Sequence, residues 1–412
     1  MSVMLKKIHI ADVRIGMYIH EVCGSWMDHP FWKKTFKVSN ARTLKTLQEC
    51  GIHEVWIDVS KGLDVGADAE AFSEEDEKLK VDETLLSAVK TVKKSERTVE
   101  LHQELGRARM IHARAKKEVT SMFQEARMGK ALQLEQAESL VEEISQSIMR
   151  NQCALLSLAR LKNKDDYTYL HSVAVCALMI ALGRQLGMEG GALRQAGMAG
   201  LLHDIGKIMT PEEVLNKPGS LTREEFDIMK KHPRSGWDIL KAASGVSEIS
   251  LDVCLHHHER LDGKGYPEKL SGESISLFAR MGAVCDVYDA ITSTRCYKSG
   301  WDPAEAIRKM AEWKDGNYDE SVFHAFVKTV GIYPIGTLVS LESGRLGVVT
   351  DQSSDSLLTP KVVVFYSGRH REHLYPEMMD LSKSLDEIAR IEKPSDWKFD
   401  PEMLQGLVQL GV

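Results

Sequence analysis

No apolar run in the chain is long enough to cross a bilayer. The longest, SVAVCALMIALG at 172–183, falls far short of the roughly 20 residues a spanning helix needs. The start, MSVMLKKIHIADVRIG, has no apolar stretch of the kind a secretory leader carries. Cysteine is sparse and unpatterned. Seven residues (Cys23, Cys50, Cys153, Cys176, Cys254, Cys285 and Cys296) form no Cys-x-x-Cys pair and no evenly spaced framework, which fits a reducing cytoplasm. Basic charge is not in excess either. A net charge of −7 argues against broad binding of nucleic acid or an anionic membrane, while leaving room for a local basic pocket. The remaining balance, 43% hydrophobic and 27% charged, is that of an ordinary soluble protein, and 412 residues suffice for two or three domains.

Residues 1–62 alternate short β-like runs, KIHIADVRIGMYIHEV and EVWIDVS, around one capped helical stretch that stops at Gly51. They predict a small α+β module, either regulatory or docking in role or a purely structural extension. Residues 63–83, acidic and poor in apolar side chains, read as a linker. Across 84–132, Leu85, Val89, Val92, Val99, Leu105, Ala108, Ala115, Val119 and Met122 recur at mostly helical spacings. One long amphipathic helix ending near Gly129 is expected, either lying on its own domain or acting as a signal-transmitting helix or one that pairs with a second copy in a homodimer. From 133 to 330 helix follows helix, interrupted by the Gly-rich ERLDGKGYPEKLSGESIS at 259–276. Residues 331–412 carry β-like runs (GTLVSLESG, LGVVTD, KVVVFYS) and read as a β-rich appendage with a C-terminal tail.

Against this background, GLLHDIGKIMTP at 200–211 stands out, because an apolar, helix-like run carries His203, Asp204 and then Lys207. Other ligand-type residues lie in the same helical region: His171, His232, the run His256-His257-His258-Glu259, and Asp286. Each alone has a structural explanation. A lone buried histidine is usually a satisfied core residue, and His232 before Pro233 can end or start a helix. Together they supply what a pair of divalent transition metals requires, imidazole nitrogens and a carboxylate able to bridge. Adjacent residues on a helix point about 100° apart, so His203 can serve one metal while Asp204 spans both. Lys207 lies one turn further on, and Asp289, Arg295 and Lys298 follow Asp286, placing cations near the same spot in an acidic chain. A two-metal centre with a cationic rim suits in-line attack on a phosphodiester by metal-bound hydroxide.

The order H…HD…H…HH…D resembles the HD superfamily of metal-dependent phosphohydrolases. HHERLDGKGYP, with Gly265, Tyr266 and Pro267, resembles its HD-GYP branch, the cyclic di-GMP phosphodiesterases. The match runs from about Asp165 to Lys298. It implies a mainly α fold: an all-helical HD-type domain, a small α+β N-terminal module and a small β-rich C-terminal appendage. It further implies that His171, His203, Asp204 and Asp286 hold one metal and Asp204, His232, His257 and His258 the other. Lys207 then contacts phosphate, Arg295 and Lys298 bind substrate, and Asp165 and Asp289 make polar contacts to the substrate or behind the ligands. Some members carry a glutamate one turn before the first histidine that recruits a third metal. Here that position is Tyr167, a poor ligand at neutral pH because a phenol titrates near about 10. The expected protein is a cytoplasmic phosphodiesterase with two divalent ions (iron or manganese, with nickel or cobalt as alternatives) that opens cyclic di-GMP to pGpG or on to GMP. The alternatives are a phosphodiesterase for another cyclic dinucleotide, or a receptor that docks GGDEF-domain proteins and turns little over.

Overall fold

The computed structural model describes residues 4–410 except 25–34, 50–51, 67–68, 90–98, 131, 133, 160–166, 220, 294–299 and 354–355. The N-terminal strands β1 (Leu5–His9), β2 (Tyr18–Val22), β3 (Phe36–Lys37), β4 (Glu54–Asp58) and β5 (Ala71–Phe72) form one antiparallel sheet in the order β3-β2-β4-β1-β5. Helix α1 (Ala41–Glu49) contributes Leu47 to the small core of this module, which includes Ile8, Ile19, Val55 and Ile57. Period-2 alternation puts these strand residues on one face.

The helical body comprises α2 (Glu74–Val89), α3 (Leu101–Arg127), α4 (Leu134–Ala159), α5 (Tyr167–Gln185), α6 (Gly191–Leu202), α7 (Glu212–Leu215), α8 (Arg223–Met229), α9 (His232–Ala242), α10 (Glu248–His256), α11 (Leu277–Thr292), α12 (Pro303–Glu312), the short turn α13 (Lys314–Asn317) and α14 (Glu320–Val330). Helix α5 is the central post. Every residue from Leu170 to Leu182 is buried, the signature of a helix with neighbours all round. A second antiparallel sheet follows, order β10-β6-β7-β8-β9, from β6 (Leu338–Leu341), β7 (Arg345–Asp351), β8 (Lys361–Ser367), β9 (Glu372–Asp380) and β10 (Ile388–Ile391). Alternation along β8 sends Val363 and Phe365 to one small core and Val362 and Val364 to another. The chain closes with α15 (Pro394–Trp397) and α16 (Pro401–Leu410), whose Leu404 and Leu407 cover the Phe365 face.

Two expectations change. The stretch 63–83 is no plain linker: β5 pairs with β1 (Ile8↔Ala71), and α2 starts at Glu74. The acidic cluster Glu74–Glu77 occupies the first turn, where the helix dipole favours negative charge, and Ser73 accepts the Asp76 N–H at 3.1 Å. Val81, Leu85 and Ala88 then bury against α12 and α14. The single helix expected over 84–132 is two, α2 and α3, with residues 90–98 outside the described ones. Along α3, Leu105, Ala108, Ala115, Val119 and Met122 pack in one core with Leu140, Val141 and Ile144 of α4, so this stripe is covered from within the chain. Gly129 ends the helix at φ +74°, a conformation glycine adopts without a Cβ penalty.

Candidate metal centre

Five elements converge beside α5. Helix α6 ends at Leu202, so His203 is its C-cap and Asp204 leads into a 3-10 turn, Ile205–Met209. The pair therefore sits at a helix junction rather than within one helix, as the sequence had suggested. His171 comes from α5, His232 opens α9, His257 caps α10 with His258 next, and Asp286 lies on α11. Small residues permit the convergence. A Cβ on Gly206 would stand 2.0 Å from the His232 carbonyl oxygen and 2.4 Å from the Gly236 nitrogen, so the 3-10 turn can touch α9 only through glycine. A Cβ on Gly200 would lie 3.0 Å from the Cys176 backbone, which sets the α5–α6 approach.

Each of four histidines is fixed through Nδ1, leaving Nε2 turned inward. His203 pairs with the Gly200 carbonyl at 2.7 Å, His232 with Met229 at 2.7 Å, and His257 with Val253 at 3.0 Å. His171 instead uses the Asp289 carboxylate, at 2.6 Å. Such outer contacts select the tautomer and orient the ring. Asp204 lies between the inward nitrogens. Its Oδ2 is 3.4 Å from both His171 Nε2 and His203 Nε2, while Oδ1 is 3.3 Å from His232 Nε2 and 3.7 Å from His257 Nε2. Asp286 Oδ1 is 2.9 Å from His171 Nε2, and its Oδ2 is 3.8 Å from His258 Nδ1. Donor atoms of His171, His203, Asp204 and Asp286 form one mutually close group, and those of His232, His257 and His258 another. Lys207 Nζ donates to Asp204 Oδ2.

Burial and charge act against each other here. Burial opposes ionisation of Asp204, but Lys207 and His203 hold it well below the usual carboxylate range; His171 and His203 do the same for Asp286. Burial would depress His203, yet Asp204 and Asp286 carry it up to about 10. On the other side burial prevails: His257 falls to about 4, and His232 and His258 are lowered as well. Ionised carboxylates and the lowered imidazoles of His232, His257 and His258 are in the protonation states that metal ligands need, whereas His203 would give up its proton to a metal that binds.

Buried polar atoms almost always have partners. Among the described residues, His203 Nε2, Asp204 Oδ1 and both Asp286 oxygens are buried without a hydrogen bond, although other polar atoms lie close. Four such atoms, shared between the two ligand groups, fit divalent cations of the nitrogen- and oxygen-binding kind. The GYP loop closes one side. Tyr266 stacks on His258, ring centroids 4.7 Å apart, and its N–H donates to the His258 carbonyl at 3.2 Å. A Cβ on Gly265 would stand 2.5 Å from the Glu259 Cα, so glycine is required there, and Pro267 follows through a cis peptide.

The structure thus gathers His171, His203, Asp204, Lys207, His232, His257, His258 and Asp286, with Gly265, Tyr266 and Pro267 alongside. Asp165, Arg295 and Lys298 lie outside the described residues. Asp289, expected either at the substrate or behind the ligands, is buried behind them with its carboxylate on His171 Nδ1. His256, the extra histidine of its run, bonds Asp252 at 2.7 Å. Glu259, read from the sequence as one of the ligand-type residues, turns instead to the loop: its buried carboxylate accepts the N–H groups of Glu268 at 2.7 Å and Leu270 at 3.1 Å and so ties the loop down. An acid at the start of a Gly-rich loop was the available signal for that role.

Two family models match the chain: a domain of unknown function (DUF3391) over residues 5–137, and the HD domain over 140–322. The protein named cyclic di-GMP phosphodiesterase PA4108, from Pseudomonas aeruginosa, is 51% identical over 411 residues, covering 98% of this chain and 97% of its own length. The cyclic di-GMP phosphodiesterase response regulator RpfG of Xanthomonas campestris is 37% identical over 203 residues, 48% of this chain and 53% of that protein. The 3'3'-cGAMP-specific phosphodiesterase 1 of Vibrio cholerae is 35% identical over 176 residues, 42% of this chain and 41% of that protein.

Proposed function

The chain belongs to the HD-GYP family of cyclic di-GMP phosphodiesterases, and from that premise we propose that it hydrolyses cyclic di-GMP at the His/Asp centre, giving pGpG or going on to GMP. The observation that carries the reading is Asp204, with one oxygen toward His171 and His203 and the other toward His232 and His257. His171, His203, Asp204 and Asp286 would hold one divalent ion and Asp204, His232, His257 and His258 a second, with iron or manganese the favoured metals. Ions bound there would acidify a water molecule and offset phosphate charge.

The chain's own residues do the rest. Asp289 accepts the His171 Nδ1 proton, which keeps the Nε2 lone pair facing the centre. Tyr266 covers the His258 ring, holding it in place and keeping bulk water off that side. Lys207, at the rim, is placed to pass its ammonium from Asp204 to a phosphate oxygen as substrate arrives. Arg295 and Lys298, by family resemblance, are the basic pair that binds substrate.

No helix among the described residues is long and apolar enough to cross a membrane; that the reaction runs in the cytoplasm is part of the same proposal, supported by a substrate that acts as a second messenger there. A second reading, hydrolysis of 3'3'-cGAMP, is favoured by the Vibrio relative named for that activity. The test is to incubate the purified, metal-analysed protein with each cyclic dinucleotide and separate the products by chromatography. Formation of pGpG from cyclic di-GMP, lost on metal chelation, is expected; preferential turnover of cGAMP would select the second reading, and no turnover of either would favour a receptor.

A further inference from the structure

We propose that His53, in the N-terminal module, is a positioning residue for the GYP loop, and that the module acts on the metal centre through it. This rests on the phosphodiesterase reading above. His53 immediately precedes β4 and is held there: its carbonyl accepts the Ile10 N–H at 2.7 Å. The sheet itself is pinned to the helical body. Trp56 is buried among side chains of α12 and α14, its Nε1 donates to Glu312 at 2.7 Å, and Lys309 of α12 donates to Glu21 at 2.9 Å.

From this fixed platform His53 Nε2 lies 2.5 Å from Asp262 Oδ2, across 209 residues of sequence, and Lys264 Nζ lies 3.2 Å from His53 Nδ1. An ammonium can only donate, so Nδ1 accepts from Lys264, and Nε2 carries the proton and donates to Asp262. The imidazole therefore ties two residues of the loop to the module at once. Asp262 is the loop's own anchor. It also accepts from Arg260 at 2.8 Å and from the Lys264 N–H at 2.9 Å, while its N–H donates to Gly316 at 3.0 Å. Gly316 closes the other side, where a Cβ would stand 3.2 Å from the Asp262 Cβ and 3.4 Å from His53 Nε2. Four residues after Asp262 comes Tyr266, stacked on His258. A shift of the sheet edge at His53 is thus transmitted through a short, clamped segment to a ring beside the candidate ligands.

The test uses the full-length chain with His53→Ala, His53→Gln and His53→Glu. Glutamine keeps one donor and one acceptor, whereas glutamate repels Asp262. Hydrogen–deuterium exchange is followed in residues 260–272 and in β1 and β4, alongside metal content and cyclic di-GMP kinetics. His53→Ala and His53→Glu should speed exchange in 260–272, leave metal content and the strands unchanged, and lower kcat/KM roughly three- to tenfold, the scale of one partly screened charge-assisted contact. His53→Gln should restore most of both. Wild-type loop exchange and kinetics in His53→Glu overturn the proposal, as does a glutamine variant no better than alanine. If His53→Ala loosens β1 and β4 as well, the glutamate and glutamine variants decide. Absence of turnover in the wild-type protein would defeat the phosphodiesterase reading alone, since the exchange measurement does not depend on it.

Discussion

His171 and Asp289 are joined through Nδ1 at 2.6 Å, with both groups buried, and the opposite edge of the same imidazole lies 2.9 Å from Asp286. The ring is therefore held from behind while its Nε2 faces the centre. Replacing Asp289 by alanine should free the ring to rotate and to change tautomer. A lost partner of this kind costs about 10- to 100-fold in metal affinity. Competition with a chelator of known affinity measures it, and unchanged affinity in Asp289→Ala would show that the contact does not orient the ligand.

Asp204 makes the strongest demand. Because it faces both histidine groups, Asp204→Ala should lower the metal content below that of the wild type and abolish turnover while the protein stays folded. Circular dichroism, metal analysis and product chromatography report the three quantities separately. Substantial residual activity with full metal occupancy would remove the bridging role.

The centre was legible in the sequence for a physical reason. An unpaired carboxylate is expensive to bury, so Asp286 in an apolar helix called for partners, and the histidines at 171, 203, 232 and 256–258 could supply them; the choice of His257 and His258 over His256 came from the family resemblance. What stayed hidden depends on direction or distance. Asp289 was visible three residues after Asp286, but nothing local says that its carboxylate turns toward the back of His171. Composition alone misread Glu74–Glu77 as solvated linker because acid suits both a disordered stretch and a helix N-terminus. The His53–Asp262 contact links residues 209 apart and leaves no periodic trace.

Metal stoichiometry follows from Tyr167, which stands where a third-metal carboxylate would be expected; its side chain lies outside those described. Ligand count then gives about two ions per chain. Elemental analysis of the purified protein decides, and three ions falling to two in Asp166→Ala would mean that the neighbouring carboxylate substitutes.

Away from the centre, Glu104 of α3 provides a pH-dependent contribution to stability. Its buried carboxylate accepts from Ser147 at 2.8 Å and from Arg150 Nε at 2.7 Å and Nη2 at 2.8 Å, joining α3 to α4. Burial works against its ionisation, but Arg150 and Ser147 outweigh it and lower its titration below the usual glutamate value. A folded-state value below the unfolded one gives stability that is fully present above the unfolded value, about 4.3, and lost as pH falls through the folded value. Glu104→Gln should destabilise by about 1–3 kcal/mol near neutrality. Thermal melts of both proteins across pH should show the gap narrowing as pH drops below about 4. A constant gap would mean that the carboxylate charge contributes nothing.

Lys207 and the Arg295–Lys298 pair should separate kinetically. Lys207 Nζ rests on Asp204, the carboxylate between the two ligand groups, and its side chain is only 16% exposed. A cation beside Asp204 would lie next to a phosphate attacked there and gain most from charge that grows in the transition state, so Lys207→Ala should lower kcat as well as raise KM. Arg295 and Lys298, matched to the family's substrate-binding pair, would grip the ground state and the transition state alike. Their alanine variants should raise KM with smaller change in kcat. A lost charge-assisted hydrogen bond costs about 1.5–3 kcal/mol, roughly a ten- to hundredfold effect in each case. Metal occupancy must be matched between variants, because removing Lys207 also takes a positive charge from beside Asp204 and so favours cation binding. Steady-state kinetics with cyclic di-GMP at fixed occupancy make the distinction. An effect of Lys207→Ala confined to KM would place the lysine with the ground-state binders and leave the growing phosphate charge to the metals.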